Sequence, residues 1–121
     1  MLGYQNSVLM DWAEKYIGSK GLAIKYLYEE LKPGIDPLSS ENKLIFMTGP
    51  MTGTTVPCSG KLGVAGKSPA TGTICDCSIG GHAALRIKYA GYDAIVIEGA
   101  LDKPGYILIK DDNVSRFVQC A

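Results

Sequence analysis

Leu44-Ile45-Phe46-Met47 runs directly into Thr48-Gly49-Pro50-Met51-Thr52-Gly53. Four apolar residues in succession fit a strand covered on both faces better than one half exposed. The Gly-Pro step and the second glycine then stop it. This strand is expected near the centre of a sheet, and Ala94-Ile95-Val96-Ile97 supplies a second strand of the same kind. Upstream, Ile35-Asp36-Pro37-Leu38-Ser39-Ser40-Glu41-Asn42 is polar and turn-rich, a surface connection. Two helical patterns precede it. In the first, Asp11 is placed to cap, Trp12, Tyr16 and Ile17 recur on one face, and Gly18 is the stop. In the second, over residues 22–31, Leu22, Tyr26 and Leu27 share a face and Lys32-Pro33-Gly34 ends the run.

Downstream, strands over 62–65 and 73–77 flank a turn at Gly66-Lys67-Ser68-Pro69. A helix over 82–90 then buries Ala83, Ile87 and Ala90, turns Arg86 and Lys88 outward, and closes at Gly91. Tyr106-Ile107-Leu108-Ile109 pairs with 114–118 across Asp111-Asp112-Asn113, a hairpin with Asx turn chemistry. Strands on both sides of a helix, without regular βαβ alternation, predict an α+β domain: a mixed β-sheet with two to three helices, one unit over 1–121.

The chain has 121 residues, 46% of them apolar and 20% charged, which is enough for one buried core. Twelve basic residues against twelve acidic ones leave no positive field for nucleic acid or an anionic membrane surface, so neither is an expected partner. No basic segment precedes an apolar run at the N-terminus, and Leu2 stands where myristoylation needs glycine. The longest uncharged stretch, 44–60, is Gly, Pro and Thr loop chemistry rather than a membrane span. A cytoplasmic protein is expected, with Cys58, Cys75, Cys77 and Cys120 as free thiols rather than a disulfide framework.

Nine of the fifteen glycines fall between Gly49 and Gly91, the region joining the two apolar strands. Tight turns explain such a bias as readily as a ligand held close to the backbone. Counting excludes a phosphate loop: GxxxxGK[ST] needs glycine where Lys61 and Thr55 stand. No GxGxxG follows either apolar strand, which disfavours a nucleotide-binding domain. Asp76-Cys77-Ser78-Ile79-Gly80-Gly81-His82 runs from a strand through two glycines into a helix start, where unpaired amides favour an anion. Ser78 acting as a helix cap is the equally weighted alternative. Lys61 can supply a cation nearby or simply be solvated. His82 is the one histidine and makes neither a metal site nor a triad alone. Cys75 and Cys77, spaced C-x-C rather than C-x₂-C, read as buried or half-buried thiols.

The strings Pro33-Gly34-Ile35-Asp36-Pro37-Leu38-Ser39-Ser40-Glu41-Asn42-Lys43-Leu44-Ile45-Phe46 and Thr48-Gly49-Pro50-Met51-Thr52-Gly53 recur in order with Lys67-Ser68-Pro69-Ala70-Thr71-Gly72-Thr73, Gly80-Gly81-His82 and Tyr89-Ala90-Gly91-Tyr92-Asp93-Ala94-Ile95. Over residues 16–109 the chain resembles the N-terminal domain of the aldehyde:ferredoxin oxidoreductases, tungsten and more rarely molybdenum pterin enzymes. The resemblance implies half of a saddle-like domain on which a bis-pterin cofactor rests, its metal held by pterin dithiolenes. It places cofactor contacts at Lys61, Ser78, Gly80 and Gly81, with Ser78 where the family uses an Asn toward a magnesium ion bridging the pterin phosphates. Lys61 stands for a family Arg, a point charge in place of a planar fork.

The resemblance also implies a second similar half, a 4Fe-4S cluster and acid/base residues in later domains or a partner subunit, and ferredoxin as electron acceptor. The implied function is oxidation of aldehydes to carboxylic acids. A non-catalytic module that keeps the fold without the cofactor is the alternative, and it implies a homodimer covering the apolar surface left open.

Overall fold

A computed structural model of the chain describes residues 7–111 and 113–118. The N-terminal residues that carry the reading on export and lipidation, together with Asp112 and Cys120, lie outside the described residues. Three helices and six strands follow in the order α1 (Ser7–Tyr16), α2 (Ser19–Glu30), β1 (Lys43–Met47), β2 (Leu62–Lys67), β3 (Ile74–Ile79), α3 (Ala83–Tyr89), β4 (Ala94–Glu98), β5 (Gly105–Lys110) and β6 (Asn113–Val118). The domain is α+β. Strands β3-β2-β1-β4 form one sheet and β5-β6 a separate ribbon, and every described ladder is antiparallel. The run that opened the sequence is central, with β2 on one side and β4 on the other.

Residues opposed in an antiparallel ladder share a sheet face, so the registers sort the side chains. Ile45, Met47, Ala65 and Val96 lie on one face, and α2 packs across it through Ala23 and Leu27. These residues make the core; Leu27 and Ile45 are fully buried. Ion pairs rim the same face. Lys43 reaches Glu98 at 2.8 Å and Glu30 at 3.5 Å, and Lys20 meets Asp76 at 2.5 Å. Burial pulls the Lys43 ammonium down, but the hydrogen bond to Glu98 and the charges of Tyr26, Glu98 and Glu30 outweigh it and hold the pKa above its ordinary value.

The opposite face carries Leu44, Phe46, Val64, Ile79 and Ile97. Leu62 and Ile95 are buried there, but Leu44 is 42% exposed and Ile79 43%. The expectation that β1 is covered on both faces is thus corrected. A single helix of twelve residues covers the first face, and α3, with seven, is too short to do the same for the second. The ribbon is open as well, with Tyr106, Ile107 and Leu108 at 54%, 41% and 48% exposure. A two-stranded ribbon of this kind has marginal stability alone in water.

Several boundaries also differ. The first helix starts at Ser7, so Asp11 is an interior position rather than a cap. Ile17 is outside it, 70% exposed with φ of 67°, because the chain reverses through Ile17 and Gly18 straight into α2. Gly21, expected in the linker, lies inside α2, where an added Cβ would stand 3.1 Å from the Tyr16 carbonyl; the glycine lets the two helices meet. Gly66 and Lys67 belong to β2, and the turn runs from Ser68 to Thr73, closed by Ser68 N–H to Thr73 O at 2.9 Å and Gly72 N–H to Ser68 O at 2.8 Å. In α3 the buried residue is Ala84, not Ala83. Ile35, inside the polar connection, is buried. No helix among the described residues is long and apolar enough to cross a membrane.

Candidate functional site

The β2–β3 ladder runs from Lys67 opposite Ile74 to Leu62 opposite Ile79. One step further along both strands come Lys61 and Gly80. The Lys61 Nζ stands 3.7 Å from where a Cβ on Gly80 would be, and the corresponding point on Gly60 is 3.4 Å from the Gly81 carbonyl oxygen. The two glycine-bearing segments therefore meet at one end of the sheet. Gly81 has φ of +91° with open space around an added Cβ, so its backbone conformation, not lack of room, demands glycine. At Gly80 the sole neighbour of that Cβ position is the far end of a flexible lysine. The missing side chain leaves a bare stretch of backbone beside an ammonium group, a place that fits an anion such as a phosphate.

Ser78 is an exposed residue inside β3, opposite Gly63. It does not cap α3: the residue before that helix is His82, which makes no side-chain cap hydrogen bond. The capping alternative is thereby corrected. Because α3 has only seven residues, the positive charge of this corner comes from Lys61 rather than from a helix dipole. The structure thus brings Lys61, Gly80 and Gly81 together and sets Ser78 two residues before Gly80 on the adjoining strand.

As a magnesium ligand Ser78 offers one hydroxyl oxygen to an ion that seeks six, so phosphate and water oxygens would have to complete the shell. Among the described residues no group of three or more His, Cys, Asp and Glu could hold a metal ion. A redox metal here would depend on ligands brought by its cofactor.

Two buried side chains in the loop that leads toward this corner escaped the sequence reading. Among the described residues, Thr48 and Thr52 are the buried polar side chains, 3% and 4% exposed, in the loop after β1. Thr48 Oγ1 donates to the Asp93 carbonyl at 2.9 Å, and the Thr48 carbonyl accepts the Ser19 N–H at 3.0 Å. The Thr52 hydroxyl accepts the Gly49 N–H at 3.1 Å and donates to the Ser59 carbonyl at 3.2 Å. A threonine in a glycine-rich loop reads as a solvated turn residue; only the register of distant strands shows that it is enclosed.

Cys58, Cys75 and Cys77 are free and exposed, a correction for the last two, which lie on the open sheet face. All three are expected to alkylate with iodoacetamide in the native chain at rates near those of the unfolded chain, read by peptide mass mapping. Protection of Cys75 and Cys77 would show that the second face is covered in solution.

Three comparisons bear on this geometry. The family of the aldehyde ferredoxin oxidoreductase, N-terminal domain, matches residues 4–118. The tungsten-containing aldehyde ferredoxin oxidoreductase of Pyrococcus furiosus is 52% identical over 104 residues, 86% of this chain and 17% of that protein. The aliphatic sulfonate oxidoreductase, WOR-like subunit, of the same organism is 35% identical over 107 residues, with the same shares covered. Among solved structures, the active-site complex BamBC of benzoyl coenzyme A reductase with 1,5-dienoyl-CoA superposes with a TM-score of 0.87 at 33% identity, covering 90% of this chain and 17% of that one. The chain spans about a sixth of the length of these relatives (17%).

Proposed function

Because the chain belongs to the family of the aldehyde ferredoxin oxidoreductase, N-terminal domain, we propose that it is the N-terminal cofactor-binding portion of a tungsten- or molybdenum-pterin oxidoreductase. The reaction is oxidation of an aldehyde and water to a carboxylic acid, two protons and two electrons, with ferredoxin as final acceptor. The observation that supports this reading best is the ammonium of Lys61 beside the bare backbone of Gly80. The bound pterin-metal cofactor supplies the two-electron redox centre; this chain supplies a floor and an anchor. Lys61 neutralises phosphate charge. Gly80 and Gly81 let that phosphate reach the backbone, and Ser78 offers an oxygen toward magnesium. Lysine in place of a forked guanidinium gives a charge without a fixed plane, so orientation rests on the backbone glycines.

The remaining domains or a partner subunit carry the 4Fe-4S cluster and the acid/base residues. Production with that remainder in tungstate-supplied cells is the test. Bound tungsten or molybdenum by elemental analysis, together with aldehyde-dependent viologen reduction, is the expected result. Absence of both metals and of activity would sink the proposal in favour of a non-catalytic module.

A further inference from the structure

We propose that Thr52 is the positioning residue of the anion corner, the side chain that fixes where Lys61 stands; this rests on the reading of that corner as a phosphate site. Thr52 lies nine residues before Lys61, and its hydroxyl is used in both directions. It accepts from Gly49 N–H at the exit of β1 and spends its single hydrogen on the Ser59 carbonyl, two residues before Lys61. The Thr52 N–H closes the same turn on the Gly49 carbonyl at 3.1 Å.

The other hydrogen bonds of the segment between are local: the Thr54 N–H and hydroxyl both donate to the Met51 carbonyl, at 3.1 and 2.7 Å, and the Val56 N–H donates to the Thr54 hydroxyl at 3.3 Å. Thr54, Thr55, Val56, Pro57 and Cys58 are all exposed, and Cys58 adopts φ of 61°, a conformation a non-glycine residue keeps only where its surroundings impose it. On one side Thr52 is tied to the rigid sheet: Thr48 N–H and Oγ1 both donate to the Asp93 carbonyl ahead of β4, each at 2.9 Å. On the other it grips the chain just where that chain turns into Gly60, Lys61 and β2. The position of an ammonium at the end of a flexible stem is defined by its backbone, which the β2–β3 ladder holds from Leu62 onward and the buried Thr52 hydroxyl holds from the Ser59 side. A Thr52→Val substitution preserves shape but leaves the Gly49 N–H and the Ser59 carbonyl without the partner they have.

The test compares wild type, Thr52→Val and Thr52→Ser by ¹⁵N relaxation and by titration with pyrophosphate as the probe. Thr52→Val is expected to drop the order parameters of Gly60 and Lys61 from about 0.85 to below about 0.6, with β1 and β4 unchanged, and to weaken pyrophosphate binding about tenfold, equivalent to about 1.4 kcal/mol. Thr52→Ser should restore both. Unchanged order parameters and affinity in Thr52→Val overturn the positioning role while leaving the anion site standing, and loss of order across the whole sheet overturns it in favour of a general structural role. Wild type that takes no pyrophosphate overturns the anion site and the positioning role together. Should Thr52→Val not fold, the unaltered chain still decides: the Thr52 hydroxyl proton should give its own slowly exchanging resonance with a cross-peak to the Gly49 amide, and its absence overturns the bridge.

Discussion

Replacing Leu27 with alanine is expected to lower the stability of the chain by about 2–5 kcal/mol. Leu27 is fully buried in α2 against a core whose other buried members are Ala23, Ile45, Met47 and Ala65. Two of those are alanines, and the sheet beneath is regular, so neighbours have little freedom to collapse into the space left behind. A domain of this size holds roughly 5–15 kcal/mol in total, so the loss takes a large share of it. Urea unfolding should show the midpoint falling with the slope unchanged. Leu44→Ala provides the contrast. Leu44 sits one residue from Ile45 on the open face, 42% exposed, and its loss should cost under about 0.5–1 kcal/mol, near the range of surface substitutions. Equal losses at the two positions would mean that the second face is closed.

The second large effect is on the site. Lys61→Ala should weaken binding of pyrophosphate, as a stand-in for the phosphate of a pterin, by about 1.5–3 kcal/mol, roughly ten- to hundredfold, the range of a hydrogen bond to a charged group. Lys61 is exposed and forms no ion pair with any carboxylate among the described residues. Its charge is available to a ligand, and its removal leaves no orphaned partner, so stability should be unaffected. Lys61→Arg should bind at least as tightly as wild type, because a guanidinium keeps the charge and adds a second donor to a phosphate. Calorimetric titration checks all three proteins. Lys61→Ala binding as tightly as wild type would remove the side chain from the site.

The apolar runs at 44–47 and 94–97 placed β1 and β4 correctly because continuous hydrophobicity is a local property, and the Asx-rich turn did the same for the β5-β6 ribbon. The resemblance grouped Lys61 with Ser78, Gly80 and Gly81, and the residue types set Lys61 near that segment, but the register that puts Lys61 beside Gly80 was not legible. Strands ending at Ala65 and resuming at Thr73 would set Lys61 opposite Cys77. The turn in fact begins at Ser68, and the longer ladder moves Lys61 to Gly80. Gly66 misled because glycine usually punctuates a strand; here an added Cβ would stand 3.1 Å from the Lys43 carbonyl, so it is a close approach inside the sheet. The same holds at Gly63, where an added Cβ would stand 2.7 Å from the Ser19 Oγ and 3.0 Å from the Lys20 nitrogen. That contact presses the start of α2 onto β2 and is invisible until both elements are placed. The open face could not be read either, because a run of four apolar residues looks the same whether its second side is met by this chain or by something else.

Where a phosphate meets the chain can be mapped residue by residue. In an amide NMR titration with pyrophosphate, the residues that shift should be those of Gly60 to Leu62 and Ile79 to His82, with the β5-β6 ribbon and the far ends of β1 and β4 unmoved. Saturable shifts confined to that corner are the predicted result. No saturable shift there, or shifts centred elsewhere on the sheet, would contradict it.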